Sequence, residues 1–96
     1  MRFPETLREL FLDAAKDAFG ECRVVLFGSR IDDTKRGGDF DLAIDTTLSK
    51  REFKRRLPRF YKRLILSDMD VPVDVVHLGS ADEVLRNEIA KGKIVS

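Results

Sequence analysis

From Pro4 to Phe19 the apolar residues Leu7, Leu10, Phe11, Ala14, Ala15 and Ala18 recur every three or four positions, which predicts one amphipathic helix. Pro4 suits its first turn, where a missing N–H is no loss, and Gly20 suits its stop. The run Arg23-Val24-Val25-Leu26-Phe27 is short, continuous and rich in β-branched residues, as a buried strand is, and Gly28-Ser29 closes it. A polar loop follows from Arg30 to Gly38. Between Asp39 and Asp45 apolar and polar residues alternate, with Phe40, Leu42 and Ile44 on one face and Asp39, Asp41, Ala43 and Asp45 on the other. This predicts a strand with one face in the core and one in water.

Ser49 stands three residues before Glu52, a capping-box spacing, and opens a helix whose apolar stripe is Phe53, Leu57, Phe60, Tyr61 and Leu64. Pro58 within that stripe predicts a kink, or two helices meeting there. Val71 to His77 is a third strand, which Pro72 places at a sheet edge or starts at Val73. Ser80 and Glu83 repeat the capping-box spacing and open a helix through Val84, Leu85 and Ile89 to about Lys91, with Gly92 as its stop. Lys93 to Ser96 adds one short strand. No repeat, low-complexity segment or linker interrupts residues 1–96, so the expectation is a single α/β (α+β) domain, a small mixed sheet with helices packed on one face.

At 96 residues, 11.0 kDa and 43% hydrophobic content, the chain can bury one modest core and not two. Cys22 is the single cysteine, which excludes an intramolecular disulfide and a cysteine-based zinc site, and makes a reducing cytoplasm the expected home. The N-terminus lacks a signal-peptide apolar core, and nothing approaches the ~20 apolar residues that cross a bilayer. Eighteen basic residues against seventeen acidic ones give a net charge of +1, which excludes a polycationic nucleic-acid wrapper. The distribution is uneven. Lys50 to Arg63 carries eight basic residues against Glu52 alone, and the remainder of the chain ten against sixteen. A solvated basic face is one reading of that helix; a docking surface for an acidic protein or for RNA is the other.

Asp39 and Asp41, two residues apart on one strand, project from the same face, and two such carboxylates repel unless a positive group joins them. If Val73 and Val75 face the core, Asp74 joins them on the wet face. Three carboxylates suit hard divalent cations such as Mg²⁺, and pairs of such ions serve phosphoryl-type transfer. Alternating aspartates on an isolated strand mark only a solvated face. Here they follow Gly28-Ser29 by nine intervening residues, and that dipeptide, placed directly after a buried strand, lets a phosphate approach the backbone and adds a hydroxyl donor.

The combination of an apolar strand ending in Gly28-Ser29, then Gly38-Asp39-Phe40-Asp41-Leu42, then Asp74 between Val73 and Val75, resembles the DNA polymerase β-like nucleotidyltransferase superfamily. Within it, the chain is similar over nearly its whole length to the stand-alone minimal nucleotidyltransferases of bacteria and archaea. The resemblance implies a polymerase β palm-like fold. It implies that Gly28 and Ser29 hold the triphosphate of ATP, that Asp39 and Asp41 ligate two Mg²⁺ ions, and that Asp74 completes the metal site and helps deprotonate a hydroxyl acceptor. It further implies transfer of AMP to a hydroxyl on a partner protein, the partner being a helical HEPN-domain toxin encoded nearby and this chain its antitoxin. Larger superfamily members bind the acceptor with a helical domain for which 96 residues leave no room, and the Ser29–Asp39 spacer is short for the family. Two further readings stay open: a module that masks its partner sterically, and the catalytic subunit of a two-component small-molecule or RNA nucleotidyltransferase.

Arg30 and Arg36 could pair with nucleotide phosphates or with Asp32 and Asp33, and Arg30 is taken with the nucleotide-binding set. Asp45 lies beyond metal reach of the other two strand aspartates and reads as structural. His77 reads as a hydrogen-bonded structural residue, and Tyr61 as core packing.

Overall fold

In a computed structural model, which describes residues 5–28, 40–67 and 72–95, Leu7, Phe11, Ala14, Ala15 and Ala18 are buried along one side of helix α1 (Glu5–Phe19). Three alanines on that side let the helix lie close to what it covers. Gly20, at φ +79°, donates its N–H to Lys16 O at 2.9 Å and ends the helix as its sequence position predicts. Strands β1 (Arg23–Phe27), β2 (Phe40–Asp45), β3 (Val73–His77) and β4 (Lys93–Ile94) form one sheet in the order β3-β2-β1-β4. β1 runs antiparallel to β2 and β4, and β3 runs parallel to β2, so helix α2 (Lys50–Leu66) is the crossover that a parallel pair requires. The sheet is therefore mixed, as expected.

α1 and α2 cover one face, burying Val24, Leu26, Phe40, Leu42, Ile44, Val73 and Val75 beneath Phe11, Phe19, Phe53, Phe60 and Leu64. Phe19 stacks on Phe53 with centroids 4.8 Å apart, and Phe11 meets Phe40 edge-on at 5.8 Å, geometries that aromatic quadrupoles favour. The expectation that all helices share this face is corrected by α3 (Glu83–Ala90), which lies on the other side. There Ile89, with Leu85, packs on Val25, Phe27 and Ala43. The face of β2 expected to be wet is thus covered at its middle, where Ala43 is fully buried. Alternation assigned the side chains to the correct faces, but a small residue such as alanine fits either a solvated face or a closely packed one.

Two local expectations are also corrected. Of the two outcomes expected at Pro58, two helices meeting there is overturned: α2 runs through it for 17 residues; Pro58 is exposed, and the carbonyl its ring leaves without a donor belongs to the exposed Lys54. The cap of α3 is Asp82, whose carboxylate accepts from Leu85 N–H at 2.8 Å, not Ser80. Ser80 ends a 3₁₀ turn (Leu78–Ser80) and spends its hydroxyl on His77 Nδ1 at 2.9 Å. At α2 the expected cap holds, since Ser49 Oγ accepts from Glu52 N–H at 3.2 Å. The Glu52 side chain turns instead to Arg56, at 2.9 Å.

Tyr61, expected as core packing, is half-buried and donates its hydroxyl to Val73 O at 2.9 Å. Phe40 N–H donates to Pro72 O at 3.0 Å, so alternate carbonyls of β3, Val73 among them, point away from β2 along the sheet edge. Burial holds the Tyr61 phenol above its usual pKa; the Val75 backbone N–H opposes this and the Asp74 charge adds to it. A raised pKa in the folded state means a contribution present below the unfolded value, about 10, and lost as pH climbs through the raised one. In a Cys22→Ala background, which removes a thiol that burial also raises, Tyr61→Phe is expected to cost ~0.5–1.5 kcal/mol at neutral pH. It should also flatten the alkaline fall in melting temperature above about pH 10. An unchanged alkaline limb would exclude this role for the phenol.

Candidate active site

The sheet register assembles the site. Asp41 lies opposite Phe27 of β1 on one side and opposite Asp74 of β3 on the other, so the two carboxylates occupy neighbouring strands at the same level and on the same face. Strand spacing puts their Cα atoms roughly 5 Å apart. Asp74 is exposed and Asp41 half-buried. α3 packs through Ile89 on Val25, Phe27 and Ala43 of this face, and Asp74 stays exposed at its β3 side.

Gly28 follows β1 directly and turns at φ +89°, a conformation that glycine adopts without strain. A Cβ built there would collide with the Asp41 carboxylate and stand 3.2 Å from its Cγ. Backbone and carboxylate are therefore in direct contact, and only glycine leaves this approach open. Three of the residues singled out from sequence, Gly28, Asp41 and Asp74, come together. Ser29, Arg30, Arg36 and Asp39 lie outside the described residues.

Among the described residues no group of three Asp, Glu, His or Cys side chains is placed to hold a metal ion. Two adjoining carboxylates in register are nonetheless hard oxygen donors of the kind Mg²⁺ takes, usually one or two from the protein with water and phosphate oxygens completing the shell. The donor set fits the ion in kind.

Other candidates fall away from this end. Asp45 pairs across from Arg23 at the far end of β2, four residues or about 13 Å along the strand from Asp41. His77 is buried and both ring nitrogens are engaged, Nδ1 with Ser80 Oγ and Nε2 with Leu48 O, each at 2.9 Å. A carbonyl only accepts, so Nε2 donates to Leu48 O, while the Ser80 hydroxyl lies between Nδ1 and His77 O, 3.4 Å from the latter. That is the structural role expected of it. Sequence reasoning missed that Tyr61 reaches the edge of β3 next to Asp74 and feels its charge; its place one turn after Leu57 was the only signal.

No protein-family model and no curated protein sequence matches the chain. Solved structures do. A toxin–antitoxin crystallised with AMP-PNP aligns with a TM-score of 0.69 at 28% identity, over 93% of this chain and 72% of that one. A mutant of the toxin–antitoxin MntA-HpeT aligns with a TM-score of 0.66 at 23% identity, over the same shares of each chain. The fold described above is thus that of proteins solved as toxin–antitoxin components, and among the described residues no helix is long and apolar enough to cross a membrane.

Proposed function

We propose that the chain is a Mg²⁺-dependent nucleotidyltransferase that moves AMP from ATP to a hydroxyl of a partner protein, and that it is the antitoxin of a pair whose toxin is a HEPN-domain protein. The observation that carries the reading is the contact of Gly28 with Asp41, with Asp74 in register beside it. A backbone free of Cβ, at a positive φ, lies against the Asp41 carboxylate, and in this reading the phosphate chain runs along that backbone and the acceptor meets the exposed Asp74. The similar toxin–antitoxin structure with AMP-PNP, an ATP analogue, supports a nucleotide as the ligand.

In this reading Gly28 and Ser29 hold the triphosphate, with Arg30 beside them, and Asp39, Asp41 and Asp74 hold the metal. Bound Mg²⁺ supplies neutralisation of the charge that develops on the attacking and leaving oxygens. Asp74, the exposed carboxylate, receives the proton of the acceptor hydroxyl as its oxygen bonds to the α-phosphorus. The bond from that phosphorus to the β-phosphate oxygen breaks, and pyrophosphate leaves with the electron pair.

The label distinguishes the chemistry. With Mg²⁺ and the protein encoded beside it, ATP labelled at the α-phosphorus should leave label on the partner, and ATP labelled at the γ-phosphorus should not. AMP-PNP, whose α–β bridge is still oxygen, should support transfer, whereas an α,β-methylene analogue should block it. Absence of α-label on protein overturns the proposal, and α-label on a small molecule or RNA would instead favour the two-component reading.

A further inference from the structure

The apolar stripe of α2 runs past the edge of the core. Phe53, Phe60 and Leu64 are buried, while Leu57 and Tyr61, half-buried against the core's edge, and the exposed Ile65, each one turn apart, line with Pro58 an open groove flanked by Lys54 and Lys62. Ile65 is 73% exposed and Leu66 71%, on a helix otherwise crowded with cations. Two large apolar side chains left in water beside an apolar groove mark a surface built to be covered.

We propose that this groove seats an acidic amphipathic helix of the partner protein; the inference rests on the reading that the acceptor is a protein. Three side chains at i, i+4 and i+8 form one ridge about 12 Å long, and such a ridge packs against the corresponding groove of another helix. The rim sets the charge of the occupant. Glu52 is taken up by Arg55 and Arg56, and Asp17 by Arg63, while neither Lys54 nor Lys62 has an ion-pair partner among the described residues. A helix with apolar residues every fourth position and carboxylates on its flanks satisfies both the floor and the rim. Single-stranded RNA would satisfy the rim and leave Leu57, Pro58 and Ile65 without contacts suited to them.

The position of the groove ties it to the site. Tyr61 lines the groove and bonds Val73 O, the carbonyl immediately before Asp74, and its phenol is close enough to be raised by the Asp74 charge. A partner helix lying on α2 is therefore held at the edge of β3, one residue from the carboxylate that faces the acceptor.

Fluorescence anisotropy on the intact protein tests this with three labelled probes: an acidic amphipathic helical peptide with Leu at every fourth position and Glu on its flanks, a scrambled peptide of equal composition, and a single-stranded RNA. The amphipathic peptide should bind at least tenfold more tightly than the scrambled one. Ile65→Asp, and separately the pair Lys54→Glu with Lys62→Glu, should each weaken it at least tenfold with the melting temperature unchanged. The double charge reversal should also gain affinity for the same peptide with Lys in place of Glu. Equal binding of the two acidic peptides, indifference to the substitutions, or lysine-dependent binding of RNA alone would each overturn the docking proposal. Nucleotide affinity measured on the same variants keeps the two readings apart: it should not change, and its absence in the unsubstituted protein would remove the catalytic reading while the peptide result stands by itself.

Discussion

Asp41→Asn is expected to lower Mg²⁺-dependent nucleotide transfer by at least ~10²–10³-fold while leaving the protein folded. Asp41 sits between two strands, opposite Phe27 and Asp74, and against the Gly28 backbone, so it is the carboxylate through which every described part of the site communicates. Asparagine keeps the shape and one acceptor oxygen but loses the charge that a hard cation requires. Asp74→Asn should act in the same direction on activity and opposite on stability. Like charges directly opposite on neighbouring strands cost ~0.2–1 kcal/mol, and Asp74 and Asp41 are such a pair. Without metal, Asp74→Asn should therefore melt a few degrees higher than the unsubstituted protein, at about 4–8 °C per kcal/mol for a domain of this size. With saturating Mg²⁺ and ATP the order should reverse, because ligand binding to the folded state stabilises only the protein that still binds. Melting curves with and without Mg²⁺, taken beside the transfer assay, check both halves. Transfer within tenfold of the unsubstituted protein in Asp41→Asn would remove Asp41 from the metal site.

The elements were legible because their signals are local. The three- and four-residue spacing of Leu7, Phe11, Ala14 and Ala18 and the alternation from Phe40 to Asp45 are period signals that any neighbouring packing leaves intact, and both elements stand where the pattern puts them. What was not legible depended on a choice between local alternatives that distant residues make. Ser80 and Asp82 are both good caps within reach of α3, and the choice fell to Asp82 because His77, buried with its other nitrogen on Leu48 O, takes the Ser80 hydroxyl. The side of the sheet that α3 covers was hidden for a similar reason. Ile89 needs a partner on whichever face offers small and apolar neighbours, and those are Ala43 and Val25, on the face that Asp41 and Asp45 had marked as wet. For the candidate site, the sequence pointed to the residues through their types and order. It could not reveal that the register sets Asp41 level with Asp74, since a shift of one residue would have sent one carboxylate into the core.

Gly28→Ala should be the most damaging single methyl in the site, and the reason separates into two parts that can be measured. The first is conformational: at φ +89° an alanine is strained by roughly 1–3 kcal/mol wherever it stands. The second is a collision, because the new Cβ falls on the Asp41 carboxylate and close to its Cγ, at 3.2 Å. Asp41 cannot retreat freely, since its backbone is paired on both sides by β1 and β3. Either the carboxylate rotates away from the site or β1 shifts at its end, and both should cost transfer activity beyond what the loss of stability explains. A double-mutant cycle isolates the contact. In an Asp41→Ala background the collision is gone and only the φ strain remains, so Gly28→Ala should there destabilise by the smaller, conformational part alone, and the difference between the two backgrounds is the contact. Equal destabilisation in both would show that Gly28 is kept for its turn and not for the approach to Asp41. A larger cost in the presence of Asp41, together with transfer reduced even at temperatures where the variant is fully folded, would tie the glycine to the geometry of the carboxylate.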